Sequence, residues 1–248
     1  MTPLQELDGK VAIVTGAGRN IGRAIAQSLA SAGATVMINV NSSENAAKET
    51  VGLIEQEGGT SAYYVADVTD EKAVEKMVSE TVSRFGGLDI LVNNHTLRDH
   101  KPFEDLTYQE WRRVVNVILD GVFLTSRSAV PQMIAAGGGA IVNLGGQNGY
   151  SGGRGSAHVS AGKLGVLGMT RSMALDLAKH KITVNCVVPG LINTTLEDGS
   201  LAHARATPPI GRLGTQEEVA AMVRLLCGPS GGYITGQAIH MNGGGYMP

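Results

Sequence analysis

Residues 10–22, Lys10-Val11-Ala12-Ile13-Val14-Thr15-Gly16-Ala17-Gly18-Arg19-Asn20-Ile21-Gly22, constrain the fold more than any other part of the chain. The apolar run 11–14 reads as a buried strand, and the glycines after it read as a tight turn. From Ile21, the apolar positions Ile21, Ala24, Ile25, Ala26 and Leu29 open a helix. Strand, glycine turn and helix N-terminus together form a cradle for phosphate. Backbone N–H groups point outward, the helix dipole favours negative charge, and glycine lets a pyrophosphate approach the backbone. A loop joining strand to helix is the plainer alternative, but the context on both sides favours a dinucleotide.

The same alternation continues to the end of the chain. Strands are expected at 34–40, 61–66, 88–93, 140–144, 183–188 and 238–242. Helices are expected at 44–57, 70–85, 108–136, 156–178 and 216–226. Seven strands alternating with helices predict βαβ crossovers and one parallel, doubly wound sheet with helices on both faces. No linker, repeat or low-complexity tract divides it, so 1–248 is expected to be one domain. The segment 191–214 reads as a loop, with Thr194, Thr195, Gly199, Ser200, Pro208 and Pro209, and suits either a lid or a surface excursion.

Composition excludes several classes. The net charge is -2 with no basic block, which disfavours nucleic acid and anionic membranes. No run of 18 apolar residues is present, so no membrane span is expected. The start, 1–8, carries two acids and no apolar core, unlike a signal peptide. The two cysteines, Cys186 and Cys227, sit in apolar segments and read as buried free thiols of a reducing compartment. A cytoplasmic protein is expected, and no metal site.

The order of motifs resembles the short-chain dehydrogenase/reductase family along essentially the whole chain. Thr15 to Gly22 is similar to that family's TGxxxGxG turn, with Asn20 where the middle glycine is usual. Asp67-Val68 matches the acid that contacts adenine, and Asn93-Asn94 begins the family's NNAG, with His95-Thr96 replacing its end. Asn116 matches the active-site helix asparagine. Pro189-Gly190-Leu191-Ile192-Asn193-Thr194 resembles the segment that contacts nicotinamide, and 234–244 has a family-like ending.

The resemblance implies a Rossmann-like domain whose cofactor is held by Gly16, Gly18, Arg19, Asn20, Ile21, Gly22, Asn41, Ser42, Asp67, Val68, Asn93, Lys163, Pro189, Gly190, Ile192 and Thr194. Asp67 is expected to accept from the adenine amino group or to cap the helix beginning near Asp70. Asp89 is expected to brace backbone. NAD enzymes want a carboxylate about 20 residues past the glycine turn. Here Asn39-Val40-Asn41-Ser42-Ser43 offers none before Glu44, and Arg19 lies where the family places a basic residue against a 2′-phosphate. NADP(H) is therefore favoured over NAD(H). Family members pair through the two long helices, implying a homotetramer or homodimer, with Ala157, Ala161, Gly162, Gly165 and Gly168 available for close packing.

The catalytic pattern of the family departs here. Lys163 matches the lysine that holds the nicotinamide ribose. The tyrosine position four residues earlier is Val159, and the serine position thirteen before that is Gly146. Neither gives a proton. Ser156, seven before Lys163, stands where some enoyl reductases of the family carry their tyrosine, and also suits a helix N-cap. The candidate substitutes are His95, His158 and Tyr150, with Gln147 and Asn148 as amide donors; imidazole is the side chain best suited to proton transfer near neutrality. Two readings stay open: a reductase of a small carbonyl or activated C=C substrate, and a non-redox dinucleotide-binding protein such as a regulator, isomerase or lyase. Hydride addition to C=C makes a delocalised anion that hydrogen-bond donors can hold, so losing the tyrosine harms it less than it harms ketone reduction.

Overall fold

The computed structural model describes residues 5–195 and 207–248. Strand β1 is Val11–Val14 and helix α1 is Asn20–Ser31. They are followed by β2 (Thr35–Val40), α2 (Glu44–Gln56), β3 (Thr60–Val65), α3 (Glu71–Phe85) and β4 (Ile90–Asn93). Next come α4 (Tyr108–Val115), a π-turn (Asn116–Asp120), α5 (Gly121–Ala135) and β5 (Gly139–Leu144). The short α6 (Asn148–Ser151), α7 (Ala157–Leu177), β6 (Ile182–Pro189), α8 (Gln216–Cys227) and β7 (Ala238–Met241) complete the order. One seven-stranded sheet runs β3-β2-β1-β4-β5-β6-β7, with every pairing parallel.

Side chains alternate between the two faces of a strand, and the core divides accordingly. Ala12 and Val14, Val36 and Ile38, and Ile90 and Val92 face one layer, against Ile25 and Leu29 of α1 and Val219 and Val223 of α8. Ile13, Met37 and Leu91 face the other, against Met77 of α3, Met133 of α5 and Ala174 of α7. Chain order reverses direction between β1 and β4, which opens a crevice at the carboxyl ends of the strands.

Helix ends carry their expected signals. Asp70 caps α3 by accepting from the Ala73 N–H, and Gly86 closes it in the left-handed region at φ 88°. Thr107 and Thr215 form capping boxes with Glu110 and Glu218.

Two expectations are corrected. The helix expected over 108–136 is interrupted by the π-turn at Asn116, a bulge that redirects side chains at one level of the rod. By length and composition 108–135 would also suit a membrane span. Its Val114, Ile118 and Val122 instead pack within the protein against Val166 of α7. The small residues of α7 are partly used internally too. A Cβ on Gly162 would lie 2.9 Å from Ile118, and one on Gly165 would lie 3.1 Å from Leu119. They seat the π-turn. In the 191–214 segment, a bridge pairs Ile192 with Gly214, while the expectation of a lid falls largely on residues outside those described.

Candidate active site

The glycine turn is built for close approach. Gly16 has φ 62°, and a Cβ on Gly22 would stand 2.3 Å from the Gly16 carbonyl oxygen. Asn20, where the resemblance leads one to expect glycine, also sits at positive φ, 51°. Asparagine tolerates that conformation better than most residues. Its side chain donates to the Thr195 carbonyl at 2.9 Å and accepts from the Thr195 N–H and hydroxyl, each at 3.1 Å. Helix α1 begins after Arg19 with no side-chain cap and no acid in its first turn, so its N–H groups suit an incoming anion. Two residues the sequence reading passed over hold the turn from behind: Arg23 donates to the Gly18 carbonyl at 2.7 Å, and Thr50 Oγ1 lies 3.2 Å from the carbonyls of Ala17 and Gly18.

At the adenine end, Asn41 and Ser42 are exposed just beyond β2, and Val68 is buried against Gly121. Asp67 accepts from the Thr69 N–H at 2.8 Å and its hydroxyl at 2.7 Å, closing the turn ahead of α3; Asp70, not Asp67, is the cap. Glu44, the first carboxylate after β2, is engaged by Lys48 at 2.9 Å and by the Tyr63 hydroxyl at 2.9 Å. Asp89 takes the Lys10 ammonium and the Val11 N–H, a bracing role as expected.

Asn93 is corrected. Its amide is buried in a polar network, donating to Ser126 and Asn143 and accepting from Thr125, and Asn143 continues to Thr170. No side-chain group of Asn93 is left for a cofactor. Asn94 is the residue that faces the crevice, donating at 3.0 Å to the carbonyls of both Thr15 and Gly16.

Lys163 reaches the crevice from α7. It is 8% exposed, donates to the Leu144 carbonyl at 2.7 Å, and burial lowers its pKa to about 8. Gly146 and Val159 line the same cleft, which has a volume of about 240 Å³. A Cβ on Gly146 would meet nothing nearer than Lys163 Cγ at 3.8 Å. Across from them lie Pro189, Gly190 and Ile192. A Cβ on Gly190 would stand 2.6 Å from Asn242 Cβ, so glycine is required there. The Thr194 hydroxyl is buried and has no partner among the described residues. An orphaned hydroxyl at that point, a cradle that excludes a Cβ at Gly22, and an uncapped helix fit a dinucleotide. Asn116 opens the π-turn of the neighbouring helix.

The substitute proton donors are not where the sequence reading put them. His95 is buried with Nδ1 2.7 Å from the Thr15 hydroxyl, and its Nε2 is directed at Gly121 of α5. Burial, with the charge of Lys163, lowers its pKa to about 3, so the ring stays neutral and packed between elements. His158 is fully buried, one helical step from Val159; its nearest carboxylate, Asp99, is 4.0 Å away. Tyr150 points to the β7 side, edge-on to His240 at 4.5 Å between centroids, and burial lifts its phenol to about 12. Neither His158 nor Tyr150 lines the cleft. Two residues missed by the sequence reading, Arg98 and His100, do line it, as does Ser156, which that reading weighs as a tyrosine stand-in and as a helix N-cap. Ser156 begins α7 without a side-chain cap, and its Oγ instead lies 3.1 Å from His100 Nδ1.

A family profile described as enoyl-(acyl carrier protein) reductase matches residues 16–246. The chain belongs to the short-chain dehydrogenase/reductase family. It is 41% identical over 242 residues to the 3-oxoacyl-(acyl-carrier-protein) reductase FabG of Staphylococcus aureus, covering 96% of this chain and 98% of that one. It is 39% identical over 244 residues to the same enzyme of Aquifex aeolicus, covering 96% and 98%. A solved short-chain dehydrogenase/reductase of Serratia marcescens, a double mutant, superposes with a TM-score of 0.90 at 36% identity over 96% of this chain and 98% of that one. This short-chain dehydrogenase/reductase is thus an oxidoreductase by family, related to 3-oxoacyl-(acyl-carrier-protein) reductases.

Proposed function

We propose that the chain, as one domain over 1–248, is an NADP(H)-dependent reductase of a small-molecule substrate whose site lacks the family's tyrosine and serine. The observation that carries the reading is an asymmetry of the cleft. Its cofactor side keeps Lys163, the Gly16–Gly22 cradle, Asn116 and the orphaned Thr194 hydroxyl, while Val159 and Gly146 offer no proton on the substrate side. The cofactor, when bound, supplies a hydride from its nicotinamide ring. Lys163 holds positive charge beside the hydride acceptor, and the amide of Gln147 is a further polar group on that wall. Such a site suits an acceptor whose anion is delocalised, such as an enoyl thioester, better than a simple ketone.

Arg19 at the head of α1 and the engagement of Glu44 by Lys48 and Tyr63 support NADP(H) over NAD(H). Exposed Phe123 on α5 and Leu164 and Leu175 on α7 support pairing of subunits through the long helices, as a homodimer or homotetramer. The low net charge supports neither nucleic acid nor membrane as a partner, and a cytoplasmic location accords with two free cysteines.

Transfer of deuteride decides the reading. The protein is incubated with 4-deuterated NADPH and a panel of enones, enoyl thioesters and ketones, and label in the product is read by mass spectrometry. Label that is lost in Lys163→Ala establishes a reductase and says whether C=C or C=O is reduced. Tight cofactor binding with no label moving on any substrate favours a non-redox role.

A further inference from the structure

The loop after β4 and the loop entering α7 are fastened together at the open side of the cleft. The Lys101 N–H donates to the Gly155 carbonyl at 2.8 Å. Gly155 has φ 63°, and a Cβ there would stand 3.2 Å from the Lys101 nitrogen, so only glycine permits the approach. This backbone bond sets His100 against Ser156, with Oγ and Nδ1 3.1 Å apart. Both residues line the cleft that Lys163, Gly146 and Val159 share.

The serine has one hydroxyl proton and two neighbours. A proton given to the Arg154 carbonyl, 3.3 Å away, would leave Oγ to accept from His100 Nδ1–H at 3.1 Å. In that arrangement Nε2 is the nitrogen left to give a proton. Ser156 is 1% exposed, whereas His100 is exposed. The charged groups around it are Arg98 and Lys163 in the cleft, Arg154 and Lys101 on the adjoining loops, and Asp99 and Glu110. Asp99 is held by Arg113 at 2.6 Å, and Glu110 is held by Lys101 at 2.5 Å.

We propose that His100 is the proton donor of this site and that Ser156 is the positioning residue that fixes its ring, in place of the tyrosine absent at Val159. The inference rests on the reductase reading. The acceptor carbon gains a hydride from the reduced nicotinamide, and the π electrons of the C=O or C=C bond move onto the adjoining oxygen or α-carbon. His100 imidazolium gives its Nε2 proton to that atom and becomes neutral imidazole. Because His100 is exposed, water restores the proton.

The test combines ¹⁵N-histidine NMR of the cofactor-free protein with pH profiles of deuteride transfer, for wild type, His100→Asn and Ser156→Ala. As the neutral ring, His100 is expected as the Nδ1–H tautomer, the reverse of the usual preference of imidazole in water, and Ser156→Ala reverses it. Wild-type transfer is expected to fall as pH rises through one titration. His100→Asn should be at least tenfold slower at saturating substrate, without that titration, with NADPH affinity changed less than twofold. Ser156→Ala should keep the titration but displace it. An Nε2–H tautomer in wild type overturns the role of Ser156. Transfer by His100→Asn at the wild-type rate, with the wild-type pH profile, overturns His100 as donor while leaving the reductase intact. Absence of transfer from wild type to any substrate overturns the reductase reading and the donor with it.

Discussion

Asn20 and Thr195, 175 positions apart, hold each other through three hydrogen bonds, joining the glycine turn to the segment that carries the orphaned Thr194 hydroxyl. The pyrophosphate cradle and the segment expected at the nicotinamide end of a bound dinucleotide would thus be tied by one side chain. Replacing Asn20 by glycine keeps the positive φ without strain but removes the clasp. Asn20→Gly is expected to leave thermal stability nearly unchanged and to weaken NADP(H) binding about fivefold to tenfold, roughly 1 kcal/mol. Asn20→Ala meets the left-handed penalty as well and should lose about 1–2 kcal/mol of stability. Calorimetric titration and thermal unfolding separate the two effects.

Lys163 carries an opposing contribution to stability. Its pKa is lowered to about 8 by burial, below the ordinary value of 10.5, so the unfolded chain binds the extra proton between those values. Stability of the cofactor-free protein should therefore rise with pH from about 8 to about 10.5, and the penalty is fully present below pH 8. The full shift corresponds to about 3 kcal/mol. Leu144 would lose its donor in Lys163→Met, which offsets part of the gain, so this variant should be more stable at pH 7 by about 1–2 kcal/mol while losing hydride transfer. Denaturant titrations at pH 7 and pH 10 check it: the advantage of the variant should shrink or vanish at the higher pH.

The Asn93 network joins β4, β5, α5 and α7 with no water-facing member. Removing one amide strands the Asn143 oxygen in a buried setting, while the Thr125 hydroxyl keeps the Gly121 carbonyl as acceptor. Asn93→Ala is expected to cost about 3 kcal/mol in urea unfolding, with the cofactor site lost only as far as the fold is lost. An Asn94→Ala change should do the reverse: a smaller loss of stability and a larger loss of NADPH affinity, because Asn94 props the cradle.

The contrast between Asn93 and Asn94 shows where sequence reading reaches its limit. The strands and helices are legible because β1, β2 and β4 are covered on both faces and so read as continuous apolar runs, and the glycine turn follows a strand and opens a helix. Which asparagine turns inward depends on where β4 ends, a matter of one residue, and periodicity does not set it. The proton donors were harder. His95 and His158 stand close in sequence to motif positions, yet the turn after β4 and the phase of α7 send both into the core. His100 meets Ser156 only because two irregular loops touch at Gly155, and no periodic pattern records that contact. The signal available was the glycine-rich entry 152–155 ahead of Ser156, which marks a close backbone approach without naming its partner.

Gly146 and Val159 allow the family's usual chemistry to be written back into this cleft. Gly146 has room for a side chain, since the nearest atom to an added Cβ is 3.8 Å away, and Val159 already lines the wall beside Lys163. A phenol at 159 would stand four residues before a buried ammonium, which favours the phenolate and lowers the acidity barrier to proton exchange. General acid catalysis contributes about 10²- to 10⁴-fold where geometry is good. Gly146→Ser with Val159→Tyr is therefore expected to raise the reduction of 3-oxoacyl thioesters at least tenfold over the parent, on a panel read by NADPH oxidation. The gain on enoyl thioesters should be smaller, because their anion is already delocalised. A double variant that binds NADPH as the parent does, yet gains nothing on ketone substrates, would show that the missing phenol is not what limits this site.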